Sequence, residues 1–394
     1  MKLRSFTRFT QIIFLLCSHS ILLLWIHRNV TSEKCFRQCK KRLALRNLMQ
    51  HTEQTSTDLK HGGQTSTDRG QVDAEFHATP FLGFNLTAIK EFRAAVEKRT
   101  KLRQYLFVTK NNTKLGERFR CLETDEWVLD PGSIRITEKN FYKKLPQESP
   151  VKANRTFRAC SVVGNAGMLR NSSCGREIDS SIFVFRSNFP PIGGEYNDDV
   201  GTKTQFLTAN PSIFAKFYKN LKKTADKKSL AEDLKRYGHA LVWTHPFHLK
   251  RYADVTLRAH DATRKFKTQN PVLFSHPKFL RNLTAFWNEH GMKAVRASTG
   301  LALATIAASL CDQVTLYGFW PFPFYRGRAL SYHYYDRAVI GDVLFQNKTL
   351  EYYLLTNFHP YHNFTEEFLI LQKMQGKGIL KVQVGECQGT GSST

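Results

Sequence analysis

The strongest constraint on the fold of this 394-residue chain is the alternation of short apolar segments with segments of helical periodicity. The apolar segments have the character of buried strands and lie at 159–163, 181–185, 240–243, 271–274, 314–317 and 380–384. The helical patterns lie at 81–101, 211–222, 277–290, 301–310 and 366–375. Because parallel strands need crossover connections that are usually helices, this alternation predicts an α/β fold with a mainly parallel sheet and helices on both faces.

The N-terminal region predicts the cellular compartment. Residues 9–26 follow Lys2, Arg4 and Arg8, contain no Lys, Arg, Asp or Glu, and have the length of a short membrane-spanning helix. A cleaved signal peptide is the alternative, but bulky residues stand where cleavage would need small ones. We therefore expect a cytoplasmic tail at 1–8 and an uncleaved signal anchor at 9–27.

The orientation of this anchor is predicted by glycosylation sequons. Six basic residues between 28 and 42 would favour the opposite topology under the positive-inside rule. N-x-S/T sequons suit a body in the secretory lumen. The acceptor candidates are Asn85, Asn111, Asn154, Asn171, Asn282, Asn347 and Asn363, whereas Asn29 lies too near the membrane.

A polar stem is expected between the anchor and the body. The sequence Gln-Thr-Ser-Thr-Asp at 54–58 recurs at 64–68, within a stretch that cannot bury a core. We assign residues 28–80 to the stem, with a solvent loop inside the fold as the alternative. Residues 81–394 then form a single lumenal domain.

Residues directly after the strands are candidate ligand contacts, since ligands of such sheets bind beyond the carboxyl ends of the strands. Strand 159–163 runs into Gly-Asn-Ala-Gly at 164–167, and Asn165, Asn188 and Phe319-Trp320 follow strands. Ser298 or Thr299 can cap the small-residue helix that follows, and the free N–H groups of its first turn can bind an anion. A plain cap and an ordinary turn are the alternatives.

At this point the chain resembles the animal sialyltransferases, in particular the α2,8-sialyltransferase branch. The long sialylmotif corresponds to 160–188 and the short one to 298–322. The third motif is His-Tyr-Tyr-Asp at 333–336, and the very short H-x4-E motif is 362–367. The resemblance covers about 81–387.

The resemblance implies a Rossmann-like sheet, CMP-sialic acid as the donor substrate, and inversion at the anomeric carbon. Carried over by position, the donor-binding residues are Asn165, Asn188, Ser298, Thr299, Gly300 and Trp320. Trp320 can equally be a core aromatic.

Two histidines are the catalytic candidates that the resemblance implies. His333 would stabilise the departing CMP, and His362 would take the proton of the acceptor hydroxyl. His359 competes with His362 on spacing alone, but it lacks the acid of an H-x4-E motif. Asn363 is expected to cap the following helix, with Glu366 completing a capping box and Glu367 in a structural role.

The cysteines and carboxylates bear on disulfides and metals. The resemblance implies two disulfides, one between Cys160 and Cys311 and one between Cys174 and Cys387, which an oxidising lumen permits. Cys121 is then unpaired, or joins Cys35, Cys39 or another subunit. No D-x-D triad occurs, and CMP leaves with one phosphate, so we expect neither a metal nor another cofactor.

The sequence is compatible with three functions. The net charge of +25 favours an anionic partner such as nucleic acid, a membrane surface, a nucleotide or an acidic sugar. The motifs favour a Golgi α2,8-sialyltransferase of type II topology, of the mono- or oligosialylating subgroup because its basic stretch at 264–296 is interrupted. An α2,3 or α2,6 enzyme and a catalytically silent glycan-binding membrane protein are the alternatives.

The expected partners follow from the leading function. They are a sialylated glycan on a glycolipid or glycoprotein and the membrane through the anchor, but not nucleic acid. The oligomeric state, including a homodimer, is left open.

Overall fold

A computed structural model describes residues 79–120, 133–135, 139–151, 156–247, 250–336 and 361–387. The expected anchor, almost all of the stem, Cys121, His359, Asn154 and Asn347 lie outside these ranges. None of the helices within them is long and apolar enough to cross a membrane.

Seven parallel strands form the central sheet. Two antiparallel pairs lie apart from it, β1 (Arg118–Arg120) with β2 (Ser133–Arg135) and β9 (Phe324–Tyr325) with β10 (Arg328–Ala329). The sheet strands are β3 (Phe157–Val163), β4 (Phe183–Arg186), β5 (Phe206–Ala209), β6 (Leu241–Thr244), β7 (Val272–Phe274), β8 (Cys311–Tyr317) and β11 (Lys381–Gln383). Their order is β11-β8-β3-β4-β5-β6-β7, with every neighbouring pair parallel. The six predicted strands are confirmed, and β5 was missed.

Eleven α-helices lie within the described residues. They are α1 (Leu86–Thr100), α2 (Leu102–Tyr105), α3 (Lys139–Lys144), α4 (Gly175–Ser180), α5 (Asn197–Val200), α6 (Pro211–Lys216), α7 (Thr224–Leu234), α8 (Lys250–Lys265), α9 (Pro277–Glu289), α10 (Thr299–Leu310) and α11 (Phe364–Gly376). The predicted helix 211–222 was too long, because the chain leaves the α-helix after Lys216 and Asn220 has a left-handed φ of 61°. The helices α7 and α8 were not predicted.

Both faces of the sheet are covered by helices, as predicted. Val162 and Phe185 share one apolar cluster with residues of α1, α9, α10 and α11. The next residue of β3, Val163, and the preceding residue of β4, Val184, belong to a second cluster with residues of α6, α7 and α8. Each fully buried side chain of this kind contributes about 1.5–3 kcal/mol to the free energy of unfolding.

Two disulfides tie distant parts of the chain together. Cys160 on β3 is bonded to Cys311 at the start of β8, and Cys174 is bonded to Cys387 near the C-terminus. Both pairings match those implied by the sialyltransferase resemblance. The bonded cysteines are 151 and 213 residues apart in sequence, so each bond closes a long loop and lowers the entropy of the unfolded chain, which stabilises the fold.

The described glycosylation candidates occupy different surroundings. Asn85, Asn111 and Asn171 are exposed, whereas Asn282 and Asn363 are half-buried. The Asn85 side chain caps α1 by accepting a hydrogen bond from the Ala88 N–H. Glycosylation of these residues stays a prediction.

Candidate active site at the carboxyl ends of the strands

A cleft of about 810 Å³ opens at the carboxyl ends of the central strands. Its walls contain every residue proposed from the sequence as a donor contact or catalytic group: Asn165, Asn188, Ser298, Thr299, Gly300, Trp320, His333 and His362. These residues come from positions as far apart as 165 and 362 in the chain. The sheet therefore gathers the four motifs at one edge.

Three asparagines follow three adjacent strands on one wall of the cleft. Asn165 follows β3; its Nδ2 donates to the Ser187 carbonyl at 2.9 Å, and its Oδ1 is buried without a hydrogen-bond partner among the described residues. Asn188 follows β4 in a left-handed conformation with φ 61°, which asparagine tolerates better than most residues. Asn210 follows β5, and its Oδ1 accepts a hydrogen bond from Thr299 Oγ1 at 3.5 Å. This wall presents amide groups suited to a polar ligand.

The floor of the cleft requires glycine. A Cβ on Gly164 would lie 2.5 Å from the carbonyl oxygen of Gly318, because the turns after β3 and β8 meet there. A Cβ on Gly167 would lie 2.0 Å from the carbonyl oxygen of Ser331. The Gly-Asn-Ala-Gly turn is thus needed for close backbone packing beside the site.

His333 is held by its own loop. Residue 333 forms an isolated antiparallel bridge with Ala166, which brings the imidazole beside the turn after β3. The ring stacks on Tyr335 with centroids 4.8 Å apart, and its Nδ1 lies 3.0 Å from Oδ2 of Asp336. Since a carboxylate accepts, Nδ1 carries a proton, and Nε2 is the ring atom for a ligand.

His362 lies two residues before α11 and belongs to the last of the four motifs in the chain. Its Nδ1 lies 3.1 Å from the main-chain carbonyl of Arg296, which accepts. This contact places the proton of a neutral ring on Nδ1 and the lone pair on Nε2. Neutral His362 is therefore in the tautomer that can accept a proton at Nε2.

The helix after His362 is capped as predicted, but the capping box is incomplete. The Asn363 side chain accepts from the Glu366 N–H at 3.1 Å. The Glu366 carboxylate does not return to the Asn363 N–H; its Oε2 accepts from the Lys293 N–H at 2.9 Å. The prediction of a full box was wrong because this carboxylate is used to join α11 to the segment before α10.

Glu367 connects α11 to the cap of α10. Its Oε1 accepts from the Ser298 N–H at 2.8 Å, and its Oε2 accepts from the Ser298 hydroxyl. Ser298 Oγ in turn accepts from the Leu301 N–H at 3.1 Å as the N-cap of α10. Burial raises the pKa of Glu367 to about 7, although both bonds from Ser298 favour its ionised form. The contact fixes the two helix N-termini beside each other.

Trp320 was considered from the sequence either as a donor-binding residue or as a core aromatic, and its position is compatible with both. It is 9% exposed, packs edge-on against Phe322 and Phe368, and donates from Nε1 to the Phe324 carbonyl at 2.9 Å. It also lines the cleft. The side chain is therefore a core aromatic that also forms part of the cleft wall.

Several residues of the cleft wall were not among the sequence-based candidates, and four of them carry polar groups of interest. Asn210, His245, Arg296 and Tyr361 all line it. Asn210 and His245 stand directly after β5 and β6, so the rule that selected Asn165 and Asn188 applies to them. Arg296 and Tyr361 meet only through the tertiary fold.

The acidic residues of the described ranges do not gather as metal ligands. No group of three or more His, Cys, Asp or Glu side chains in that part of the chain has the arrangement of a metal site. In the adjacent pair Asp198-Asp199, the second carboxylate accepts from the Asn171 and Ser173 N–H groups, which is a structural role.

Comparison with known proteins identifies the family. The profile of Glycosyltransferase family 29 (sialyltransferase) matches residues 107–379. A Xenopus tropicalis protein named alpha-N-acetylneuraminide alpha-2,8-sialyltransferase is 38% identical over 312 residues, which cover 78% of this chain and 82% of that protein. Alpha-2,8-sialyltransferase 8F of Mus musculus is 35% identical over 298 residues, covering 75% and 68%.

A human relative matches as well, and one solved structure aligns with the chain. Alpha-2,8-sialyltransferase 8E of Homo sapiens is 33% identical over 307 residues, covering 77% of this chain and 74% of that protein. A crystal structure of a mammalian sialyltransferase aligns with 82% of this chain and 88% of its own, at 17% identity and a TM-score of 0.40. The profile match and the sequence relatives together show that the chain belongs to glycosyltransferase family 29, the sialyltransferases.

Proposed function

We propose that this protein transfers sialic acid from CMP-sialic acid to the terminal sialic acid of a glycan, forming an α2,8 linkage with inversion. The observation that carries this proposal is the convergence of the four sialyltransferase motifs on one cleft. The α2,8 linkage is supported by relatives of that name at 33–38% identity. No finding favours an α2,3 or α2,6 linkage.

The donor binds along the asparagine wall and the N-terminus of α10. Asn165 and Asn188 contact the phosphate and nucleotide, and the buried Oδ1 of Asn165 supplies an acceptor for a nucleotide N–H or hydroxyl. Thr299 and Gly300 belong to the first turn of α10, whose free N–H groups and dipole favour an anion. Ser298 acts mainly by holding that turn, since its hydroxyl is engaged by Glu367 and Leu301. Trp320, as part of the cleft wall, lies near the nucleotide.

His362 is the general base of the transfer. Its Nε2 takes the proton from the 8-hydroxyl of the acceptor sialic acid, and that oxygen forms a bond to C2 of the donor sialic acid. Attack comes from the face opposite CMP, so the configuration at C2 inverts. The bond between C2 and the phosphate oxygen breaks, and its electron pair leaves with CMP.

His333 stabilises the leaving group. As an imidazolium it donates from Nδ1 to Asp336 and from Nε2 to the phosphate, where negative charge develops. Asp336 and the stacked Tyr335 fix the ring so that this donation costs little reorganisation. The single phosphate of CMP allows this charge to be met by protein groups, and we propose a reaction without a metal or other cofactor.

We also propose that the enzyme is a single-pass type II protein of the Golgi membrane with residues 81–394 in the lumen. The apolar segment at 9–26 and the seven sequons of the body support this topology. The two disulfides support an oxidising compartment.

Product analysis tests this function. Purified full-length protein is incubated with CMP-sialic acid and either a sialylated oligosaccharide or its desialylated counterpart. We expect CMP release and an α2,8-linked product with the sialylated acceptor only. Transfer to the desialylated glycan would support the α2,3/α2,6 alternative, and binding without CMP release would support the silent glycan-binding alternative.

A further inference from the structure

Arg296 lies beside the proposed base, His362. The Arg296 N–H donates to the Tyr361 carbonyl at 3.2 Å, and the Arg296 carbonyl accepts from His362 Nδ1 at 3.1 Å. The two main-chain segments are thus joined at the cleft wall. The position of Arg296 next to His362 is set by the backbone and does not depend on its side-chain rotamer.

The side chain of Arg296 is oriented by an aromatic ring. Its guanidinium lies over the ring of Tyr361, 4.7 Å from the centroid, and both residues line the cleft. Arg296 is half-buried and Tyr361 is 38% exposed. Stacking on an aromatic face restricts the guanidinium plane, and its fork of N–H donors matches the two oxygens of a carboxylate.

The cleft wall has fewer Lys and Arg side chains than the proposed substrates have anionic groups. Among the described residues that line it, Arg296 and Lys216 are the only ones with a Lys or Arg side chain, and Glu367 is the only carboxylate. The reaction brings three anionic groups together: the donor phosphate, the donor carboxylate and the carboxylate of the acceptor sialic acid. Of the Lys and Arg residues in the wall, Arg296 is the one whose main-chain carbonyl is hydrogen-bonded to His362, the proposed base.

We propose that the Arg296 guanidinium, supported by Tyr361, binds the C1 carboxylate of the acceptor sialic acid and so directs its 8-hydroxyl to His362. This subsite rests on the proposed function and adds to it the means by which the enzyme selects an acidic acceptor. A neutral terminal galactose has no group for this guanidinium. Arg296 is a specificity-determining residue, whereas Tyr361 positions it.

A chemical double-mutant cycle tests the subsite with intact full-length protein. The two acceptors are a sialylated oligosaccharide and the same compound with its terminal C1 carboxylate converted to the primary amide. We expect the wild type to show a kcat/KM about 10- to 100-fold higher for the acid than for the amide, the range of a charge-assisted hydrogen-bonded pair. Arg296→Gln should reduce this ratio to near one, and Arg296→Lys should restore part of it.

Lys216→Gln is the matched control, because it removes the other cation of the cleft wall and should keep the wild-type ratio of acid to amide. If Lys216→Gln abolishes the preference for the acid over the amide and Arg296→Gln retains that preference, the subsite is misassigned. A wild type that uses both acceptors equally contradicts the subsite alone. A wild type that uses neither contradicts the proposed function as well. The wild-type comparison needs no variant to fold.

Discussion

Replacing Glu367 with Gln should change the pH dependence of stability in a direction that the structure fixes. The carboxyl is 4% exposed, and burial raises its pKa from 4.5 to about 7. Gln can keep both contacts of the protonated acid: its carbonyl oxygen accepts from the Ser298 N–H, and its amide can donate to Ser298 Oγ. The variant therefore removes the titration with little change in shape.

The sign follows from proton linkage. Well below pH 4.5, the folded and unfolded wild-type chains both hold the proton. As the pH rises toward about 7, the unfolded chain releases it while the folded chain retains it, so the free energy of unfolding falls. Each tenfold difference in proton affinity corresponds to about 1.4 kcal/mol, so wild type should lose about 3 kcal/mol relative to Glu367→Gln between about pH 4.5 and about pH 7.5.

Urea unfolding followed by tryptophan fluorescence, with the disulfides intact, measures this difference at each pH. Glu91→Gln removes one carboxylate from an exposed position of α1 and controls for the change in net charge. If wild type and Glu367→Gln give parallel curves between those pH values, burial does not hold the Glu367 carboxyl protonated near neutral pH.

Four further predictions concern the proposed chemistry and the covalent framework. His362→Ala should lower kcat by about 10²–10⁴-fold while leaving CMP affinity near that of wild type, and near-normal turnover would show that the base is misassigned. Asp336→Asn should lower kcat by about 10-fold or more, because it removes the carboxylate that orients His333, and an unchanged kcat would contradict that role. Removing the second disulfide with Cys174→Ser and Cys387→Ser should lower the free energy of unfolding by about 2–5 kcal/mol in denaturant titrations. Thorough EDTA treatment should leave activity intact, and a loss that manganese restores would overturn the metal-free mechanism.

The alternation of strands and helices was readable because each predicted strand is a run of apolar residues between polar or turn-forming ones. Strand β5 was missed because its four residues, Phe206–Ala209, follow a polar segment and include Thr208. Helix α8 was missed because most of its residues are polar, and its buried side mixes the apolar Val255, Ala259 and Ala262 with polar residues such as Thr256 and His260. Short buried strands and charged helices are specified by tertiary packing more than by local pattern.

The residues of the site divide in the same way, into those marked by local sequence signals and those brought together only by the tertiary fold. The motif residues were found because local sequence signals and the resemblance coincide at them. Asn210 was missed with the strand before it. The contacts of Arg296 with Tyr361 and His362 join positions more than sixty residues apart, which periodicity cannot relate.

The order of strands in the sheet has a consequence for synthesis of the chain. Strands β3 to β7 are neighbours in the order in which they are made, so they can pair as the chain emerges. The other side of β3 stays open until β8 is made and pairs with it, and β11 then pairs with the far side of β8. An open apolar strand edge is a template for aggregation. A nascent chain that stops before Cys311 should therefore require chaperones to stay soluble, and the last quarter of the protein closes the edge that the first strands leave exposed.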